Sequence, residues 1–252
     1  MLSLTETHSA LPAVAPLISC LMVTRGQLMP ARFAIECFRR QTWPNKELVI
    51  VCGAPDSQLP AFLATLSDPA IRYVTATPRP LGELRNVSVE AARGTLLCQW
   101  DDDDLYHPER LEFQFAQLTA NQAAAHFFSR LLMWWPDQRR LAFTSRRMWE
   151  GSMLCRRLAL GSYPSLARRE DTHVVKDLRD RGNRITYTDQ PLAYCYVVHG
   201  ENTSGERHLT KLFGKATETF GPDEYAERVR EFAAIFPLDE YGKALAEAGP
   251  AA

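Results

Sequence analysis

The sequence lacks the features that direct a chain into or across a membrane. It contains no apolar run near the ~20 residues that a transmembrane helix requires, and residues 1–6 lack the basic segment that begins a secretory signal. Six cysteines are present, but no two are spaced as Cys-x-x-Cys. We therefore expect a cytoplasmic protein whose cysteines are buried free thiols in a reducing compartment.

Several motifs for binding nucleotides or hydrolysing esters are also missing. No two glycines are separated by a single residue, which excludes the Gly-x-Gly-x-x-Gly turn, and there is no Gly-x-x-x-x-Gly-Lys loop. No Gly-x-Ser-x-Gly segment indicates a serine hydrolase. The first apolar run ends in Val23-Thr24-Arg25 without an aspartate, which argues against phosphatases that use a carboxylate nucleophile at that position.

Neither sign of charge is in excess. In the 252 residues, 29 Lys and Arg stand against 30 Asp and Glu, so the net charge of −1 gives no general attraction to nucleic acids. The charges are instead concentrated locally, in an uninterrupted aspartate run at 101–104 and in four arginine pairs between 139 and 169.

The arginine pairs form a basic stretch that the overall balance conceals. One interpretation is that they attract an anionic ligand, such as a lipid-linked diphosphate or a phosphorylated glycan, and bring the protein to the inner face of an anionic membrane. The alternative is a solvated face whose side-chain stems pack over the sheet. The pairs are Arg139-Arg140, Arg146-Arg147, Arg156-Arg157 and Arg168-Arg169.

Short apolar runs alternate with segments of helical period along the first half of the chain. Continuous apolar runs that are each followed by a helix are typical of parallel strands buried on both faces. We therefore predict an α/β fold with an open, mostly parallel sheet flanked by helices. The predicted strands are 17–23, 47–52, 71–74 and 95–100, and the predicted helices are 29–40, 58–66, 81–92 and 108–118.

The remaining chain gives a coarser prediction. Strands are expected at 124–135 and 139–143 as a pair, and again at 184–188 and 192–198, with a helix at 171–181 between them. The length suits one large domain. We expect a loose leader at 1–15, the domain at 16–204 and a C-terminal helical extension at 205–252.

The aspartate run directly follows the predicted strand 95–100. Ligands of open α/β sheets bind beyond the carboxyl ends of the strands. If the run is extended, alternation places Asp101 and Asp103 on one side, where they can share a cation. Oxygen ligands favour Mg²⁺ or Mn²⁺, and a diphosphate would complete such a site. The alternative is an acidic turn that caps the helix beginning at Pro108.

Four segments between residues 19 and 111, taken in their order along the chain, resemble glycosyltransferase family 2. The resemblance is close over residues 17–118 and looser over 149–203. The resemblance implies a single domain of GT-A fold, with a nucleotide-sugar half at 16–118 and an acceptor half at 119–204. It also implies a nucleotide-diphosphate sugar donor, Mn²⁺ or Mg²⁺ held by an Asp-x-Asp element, and inverting, hexosyltransferase-like transfer to a glycan or lipid-linked acceptor. The segments are residues 19–24, residues 41–51, Gly82-x-x-Arg85-Asn86, and Trp100-Asp101-Asp102-Asp103-Asp104-x-Tyr106-x-Pro108-x-Arg110-Leu111.

The same resemblance assigns residues to the donor and the metal. Asp101 and Asp103 form the metal-binding pair, and His199 is a further candidate at the metal or the diphosphate. Asp56 is the candidate for the aspartate that reads the base in many members, because residues 52–55 lack one. The candidate donor-binding residues are Thr24, Arg25, Asp56, Arg85, Asn86, Asp101 and Asp102.

An inverting transfer needs a base for the acceptor hydroxyl. Asp171 matches the family's Glu-Asp element, with Glu170 as the second candidate, although both could simply favour a helix N-terminus. Trp149 is expected near the acceptor, where an aromatic ring suits stacking on a sugar, or in the core. Rival functions are a nucleotidyltransferase, which normally has a glycine-rich loop after the first strand, and a non-catalytic relative that binds nucleotide or glycan.

Overall fold

The computed structural model describes Leu4 and residues 14–54, 57–200 and 202–248. The strands are β1 Ile18–Thr24, β2 Lys46–Cys52, β3 Ile71–Thr75, β4 Leu96–Gln99, β5 Leu105–Tyr106, β6 Ala125–Phe128, β7 Leu132–Trp135, β8 Arg140–Phe143, β9 Trp149–Arg156, β10 Ile185–Thr188, β11 Tyr194–Val197 and β12 Glu218–Phe220. The helices are α1 Leu28–Arg39, α2 Leu59–Leu66, α3 Leu81–Ala91, α4 Arg110–Ala120, α5 Glu170–Asp180, α6 Glu206–Phe213, α7 Pro222–Phe232 and α8 Leu238–Ala248.

The central sheet has the strand order β10-β6-β9-β4-β1-β2-β3 within the described residues. β1 pairs in parallel with β2 and β4, β2 with β3, and β10 with β6, while β9 runs antiparallel between β4 and β6. The predicted open, mostly parallel sheet flanked by helices is confirmed.

Both faces of this sheet are buried, which explains the continuous apolar runs. On β1, Cys20 and Met22 face a large core cluster that includes residues of α1, α4 and α8. The intervening Leu21 faces a second cluster that includes residues of α3 and α5. All six cysteines are buried and unpaired, as expected. Within the described ranges, none of the helices combines the length and apolar character needed to cross a bilayer.

A second sheet, β12-β8-β7-β11-β5, packs beside the first and was not predicted. The apolar segment 124–135, expected to be one strand, contains β6 of the central sheet and β7 of the second sheet. The chain changes sheets at Arg130, whose guanidinium forms a bidentate ion pair with Asp189 at 2.7 and 3.0 Å. β7 and β8 do form the predicted antiparallel pair.

The C-terminal segment is built into the same core. β12 pairs with β8, and Phe236, Leu238 and Tyr241 are fully buried in the large cluster. The predicted helical composition of 205–248 is present in α6, α7 and α8. Residues of α7 and α8 pack in the same cluster as residues of 16–204.

Candidate active site

The sheet opens into a cavity where its strand order reverses. β1 lies between β2 and β4 and is parallel to both, so the carboxyl ends of the three strands lie at the same edge of the sheet. A crevice at such a reversal is the usual ligand position of an open α/β sheet. The cavity there has a volume of about 1080 Å³. Its lining includes eight of the residues singled out from the sequence, namely Thr24, Arg25, Arg85, Asp101, Asp102, Asp103, Glu170 and Asp171.

The aspartate run is a turn and not an extended segment. Asp102 and Asp103 occupy the turn, so the expected strand-like alternation is absent. Asp101, Asp102 and Asp103 all line the cavity, whereas the side chain of Asp104 is buried away from it among hydrogen-bond partners on β11. Asp101 and Asp103 thus line one cavity, but Asp102 lines it as well, so the predicted separation of Asp101 and Asp103 from Asp102 is absent.

Arg85 connects two carboxylates across the cavity floor. Its Nε lies 2.9 Å from Glu170 Oε1, and its Nη2 lies 3.1 Å from Asp101 Oδ1. Burial opposes the charge on Arg85, but the carboxylate of Asp101, together with that of Glu170, outweighs it and raises the pKa of the guanidinium. Arg85 is therefore a fixed cation that joins α3, the turn after β4, and α5.

The neighbouring residues of the Gly82-x-x-Arg85-Asn86 element hold α3 in place. A side chain at Gly82 would overlap the carbonyl oxygen of Pro164, so glycine permits the close approach of α3 to the 163–166 loop. The Asn86 amide donates to the carbonyl of Tyr163 and accepts its N–H, both at 2.8 Å. Asn86 is not among the described residues that line the cavity, and these contacts give it a structural role.

Thr24 and Asp102 meet on the β1 side of the cavity. The Thr24 hydroxyl accepts the N–H of Gly26 at 2.9 Å and hydrogen-bonds Asp102. Burial, reinforced by the charge of Asp103, raises the pKa of Asp102 to about 7. Arg25 is exposed at the cavity edge. The candidate base-reading residue Asp56 lies outside the described residues.

Asp103 faces His199 from the cavity wall. Asp103 Oδ2 lies 3.1 Å from His199 Nε2 and 3.4 Å from the side-chain nitrogen of Asn202. In the described part of the chain no three His, Cys, Asp or Glu side chains converge on one point. A carboxylate and an imidazole that already face each other fit a divalent cation whose other ligands come from diphosphate and water. Asp101 instead contacts Arg85 through Oδ1 and Tyr194 through Oδ2.

The two candidate bases differ in their surroundings. Glu170 is 3% exposed and is engaged by Arg85. Asp171 is half-buried in the first turn of α5, and its Oδ1 accepts the N–H of Thr172 at 2.7 Å. Both side chains line the cavity, but only the Asp171 carboxylate is outside the Arg85 ion pair.

Trp149 lies in the cavity wall with one ring face covered. It is 6% exposed, and the guanidinium carbon of Arg147 lies 3.8 Å from its ring centroid. Trp149 belongs to the core, which was one of the two expectations, and it also lines the cavity. Its stacking on a sugar stays a prediction. Stacking of a sugar on the covered face would require Arg147 to move.

The arginine pairs do not form one continuous basic face. Arg157 donates to the carbonyl oxygens of Val89, Ala92 and Gly94 at 2.9, 2.6 and 2.7 Å, which caps the C-terminal end of α3. Arg140 stacks on Phe213, at 4.4 Å from the guanidinium carbon to the ring centroid. Three members of the pairs, Arg147, Arg168 and Arg169, line the cavity.

Three residues important for the site were missed as functional residues. Tyr194 and Tyr106 contact Asp101 through their hydroxyls, and Asp104 anchors the end of the turn. Tyr106 stands inside the motif segment 100–111, so its position next to four acids was an available signal. Tyr194 lies 90 residues beyond Asp104 and gave no local signal.

Comparison with known proteins identifies the family. The model of glycosyl transferase family 2 matches residues 19–164, which is more than half of the chain. The chain belongs to this family.

The curated relatives are larger proteins. A protein of Escherichia coli described as a colanic acid biosynthesis glycosyl transferase, WcaA, is 33% identical over 116 residues, covering 45% of this chain and 41% of WcaA. The succinoglycan biosynthesis protein ExoO of Rhizobium meliloti is 34% identical over 79 residues, covering 31% of this chain and 23% of ExoO. The matches thus span less than half the length of either relative.

Solved structures share the fold at low sequence identity. The mannosyltransferase PcManGT of Pyrobaculum calidifontis, in complex with GDP-Man and Mn²⁺, has a TM-score of 0.60 and 15% identity, covering 95% of this chain and 77% of that one. Residues 1–349 of S. aureus TarS, in complex with UDP, have a TM-score of 0.58 and 16% identity, covering 74% and 61%. The GT-A fold expected from the sequence is confirmed.

Proposed function

We propose that the protein is a metal-dependent, inverting glycosyltransferase that moves a sugar from a nucleotide-diphosphate sugar to an acceptor hydroxyl. The observation that carries this proposal is one cavity lined by Asp101, Asp102 and Asp103 at the end of β4 and by Glu170 and Asp171 at the start of α5. Its volume of about 1080 Å³ accommodates a donor together with part of an acceptor.

Asp103 and His199 are the proposed protein ligands of Mn²⁺ or Mg²⁺, with Asp101 as a further candidate. The cation would stabilise negative charge on the departing diphosphate. Arg85 supplies a fixed positive charge that forms ion pairs with Asp101 and Glu170. This charge reduces the repulsion between the carboxylates that line the cavity. Asp102 and Thr24 form the wall on the β1 side, with Arg25 at its edge, and are the proposed contacts of the nucleoside.

Asp171 is the proposed general base. Its carboxylate would take the proton of the acceptor hydroxyl as that oxygen attacks the anomeric carbon from the face opposite the diphosphate, which inverts the configuration there. Glu170 is the weaker candidate because its carboxylate already accepts a hydrogen bond from Arg85 at 2.9 Å.

The context of the relatives favours synthesis of a bacterial surface polysaccharide. WcaA and ExoO are named for colanic acid and succinoglycan biosynthesis. Arg147, Arg168 and Arg169 line the cavity and favour an acceptor that carries negative charge, such as a lipid-linked diphosphate. Sedimentation with anionic vesicles at low salt tests the proposed membrane contact, and an absence of binding would remove it.

Thermal shift with a panel of nucleoside diphosphates, with and without Mn²⁺, tests the donor and metal proposals. We expect one nucleotide to raise the melting temperature only with Mn²⁺. Asp103→Asn should lose this response, and Asp171→Asn should keep it while losing sugar transfer. A metal-dependent response without transfer to any acceptor would favour the non-catalytic relative, and no response at millimolar nucleotide would contradict the donor assignment.

A further inference from the structure

The fourth aspartate of the run connects the turn to the second sheet. Asp104 is 1% exposed. One of its carboxylate oxygens accepts the hydroxyl of Tyr194 at 2.5 Å, and the other accepts the N–H of Val197 at 2.8 Å. Because Tyr194 and Val197 both belong to β11, Asp104 fixes the end of the turn to that strand.

Two tyrosine hydroxyls hold the start of the same turn. The Tyr106 hydroxyl accepts the N–H of Asp101 at 2.8 Å and donates to the Asp101 carbonyl at 3.0 Å. The Tyr194 hydroxyl, which bonds Asp104, also lies 3.3 Å from Asp101 Oδ2. The two tyrosine rings meet edge to face, with centroids 4.9 Å apart. One aromatic pair therefore contacts both ends of the turn.

A fully buried arginine packs on these rings. The guanidinium carbon of Arg110 lies 4.6 Å from the ring centroid of Tyr106 and 5.1 Å from that of Tyr194. Arg110 also donates to the carbonyl of Gln99 and the side chain of Gln114, at 3.1 and 3.0 Å. Among the described residues its contacts include no carboxylate ion pair. A buried cation is costly without a partner, and here the π faces of the rings supply one.

We propose that Arg110, Tyr106, Tyr194 and Asp104, here called the aromatic clamp, are positioning residues that hold the 101–103 turn in its cation-binding geometry. The inference rests on the proposed metal site. Its physical basis is that a cation on the ring faces draws electron density from the rings. This strengthens the hydrogen bonds that the hydroxyls donate, from Tyr106 to the Asp101 carbonyl and from Tyr194 to the Asp104 carboxylate.

A purely apolar cluster would fill this space without the cost of burying hydroxyls, a carboxylate and a guanidinium. The clamp instead directs every tyrosine hydroxyl contact named above to residue 101 or 104. The two cavity-facing residues between them, Asp102 and Asp103, are thereby confined from both sides.

Tyr194→Phe tests the clamp because it removes only the hydroxyl and keeps the ring beneath Arg110. The matched control is Tyr225→Phe, which removes a hydroxyl that accepts the indole N–H of Trp134 at 3.0 Å and lies outside the cavity lining. Titrating Mn²⁺ at saturating nucleoside diphosphate, we expect the half-saturating Mn²⁺ concentration to rise about tenfold in Tyr194→Phe and to be unchanged in Tyr225→Phe.

Hydrogen exchange of the free protein provides a readout that needs no ligand. The amides of residues 101–104 should exchange faster in Tyr194→Phe than in the wild type, and at the wild-type rate in Tyr225→Phe. Equal exchange in both variants would overturn the clamp whether or not the protein binds nucleotide. A different outcome is that the wild type shows the expected exchange difference from Tyr194→Phe and yet responds to no nucleotide with Mn²⁺. That result would refute the proposed function, and the clamp would then be a device that rigidifies this turn.

Discussion

Adjacent, chemically identical side chains have different roles in this site. Asp101 pairs with Arg85, Asp103 faces His199, and Asp104 is buried against Tyr194. The sequence predicted an acidic site after β4, because a run of four carboxylates next to a buried strand is costly without compensating charge. Asp101, Asp102 and Asp103 do line a cavity there. The sequence could not assign a separate role to each aspartate. The residues that contact them come from α3, from the segment after β11 and from β11 itself, and only folding brings these together.

His126, a residue outside the cavity lining, leads to a prediction about how stability depends on pH. It is fully buried and contacts Gln114 at 3.2 Å and Thr188 at 3.1 Å. Burial, with the nearby charge of Arg110, lowers the pKa of His126 to about 3. The unfolded chain, with a pKa near 6.5, therefore takes up a proton that the folded protein does not, so His126 reduces stability as the pH falls from about 6.5 towards 3.

We expect His126→Gln to remove this contribution. Below pH 6.5, the extra proton taken up by the unfolded chain lowers the free energy of unfolding of the wild type by about 1.4 kcal/mol per pH unit. Between pH 7.5 and pH 5, the wild type should therefore lose about 2 kcal/mol more than the variant. Urea titrations at the two pH values measure this difference. The exposed His173 on α5 provides the control, since His173→Gln should lose stability in parallel with the wild type. Parallel behaviour of His126→Gln would show that His126 is already charged at pH 5.

At the level of elements, the first half of the chain was predicted closely and the second half in part. The predicted helix at 171–181 and the predicted strands at 139–143, 184–188 and 192–198 correspond to α5, β8, β10 and β11, whereas β9 and β12 were not predicted. The runs 17–23 and 47–52 became β1 and β2 because parallel strands buried on both faces are continuously apolar. The run 71–74 became β3, a half-buried strand at the edge of the sheet. Beyond residue 120 the strands are divided between two sheets, and most of them have only three or four residues. The exception is the eight-residue β9, which inserts antiparallel between β4 and β6. Such pairings depend on contacts distant in sequence, which local periodicity does not record.

The close packing of α3 on the 163–166 loop predicts that a side chain at Gly82 destabilises the protein. Gly82→Ala would place a methyl group on the carbonyl oxygen of Pro164, so α3 must shift and carry Arg85 with it. We expect a loss of about 1–3 kcal/mol in the free energy of unfolding, together with weaker Mn²⁺-dependent nucleotide binding. Gly214→Ala is the control, because its added carbon would lie 3.6 Å from the nearest backbone oxygen at a helical φ of −64°. Equal behaviour of the two variants would show that the close approach of α3 is not required.

The molecule as a whole joins segments that the sequence suggested were separate. The extension expected at 205–252 contributes β12, α7 and α8 to the large core. Tyr241 of α8 packs edge-on against Phe33 of α1, with ring centroids 4.7 Å apart, and its hydroxyl donates to the carbonyl of Asp103 at 2.9 Å. The C-terminal helix therefore supports the cavity turn from behind, a contact spanning 138 residues that composition alone does not reveal.

This continuity predicts that the chain unfolds as one unit. Tyr241→Ala should lower the free energy of unfolding by about 3–5 kcal/mol, because it leaves a cavity at a fully buried aromatic position. If 205–248 belongs to the common core, the variant should still unfold in one transition at a lower temperature, with circular dichroism and tryptophan fluorescence coincident. Leu245→Ala, at a half-buried position on the same helix, should behave likewise with a smaller shift. A separate low-temperature phase in Tyr241→Ala would instead mean that the C-terminal helices are an independently melting appendage, because their loss would then leave the remaining core intact.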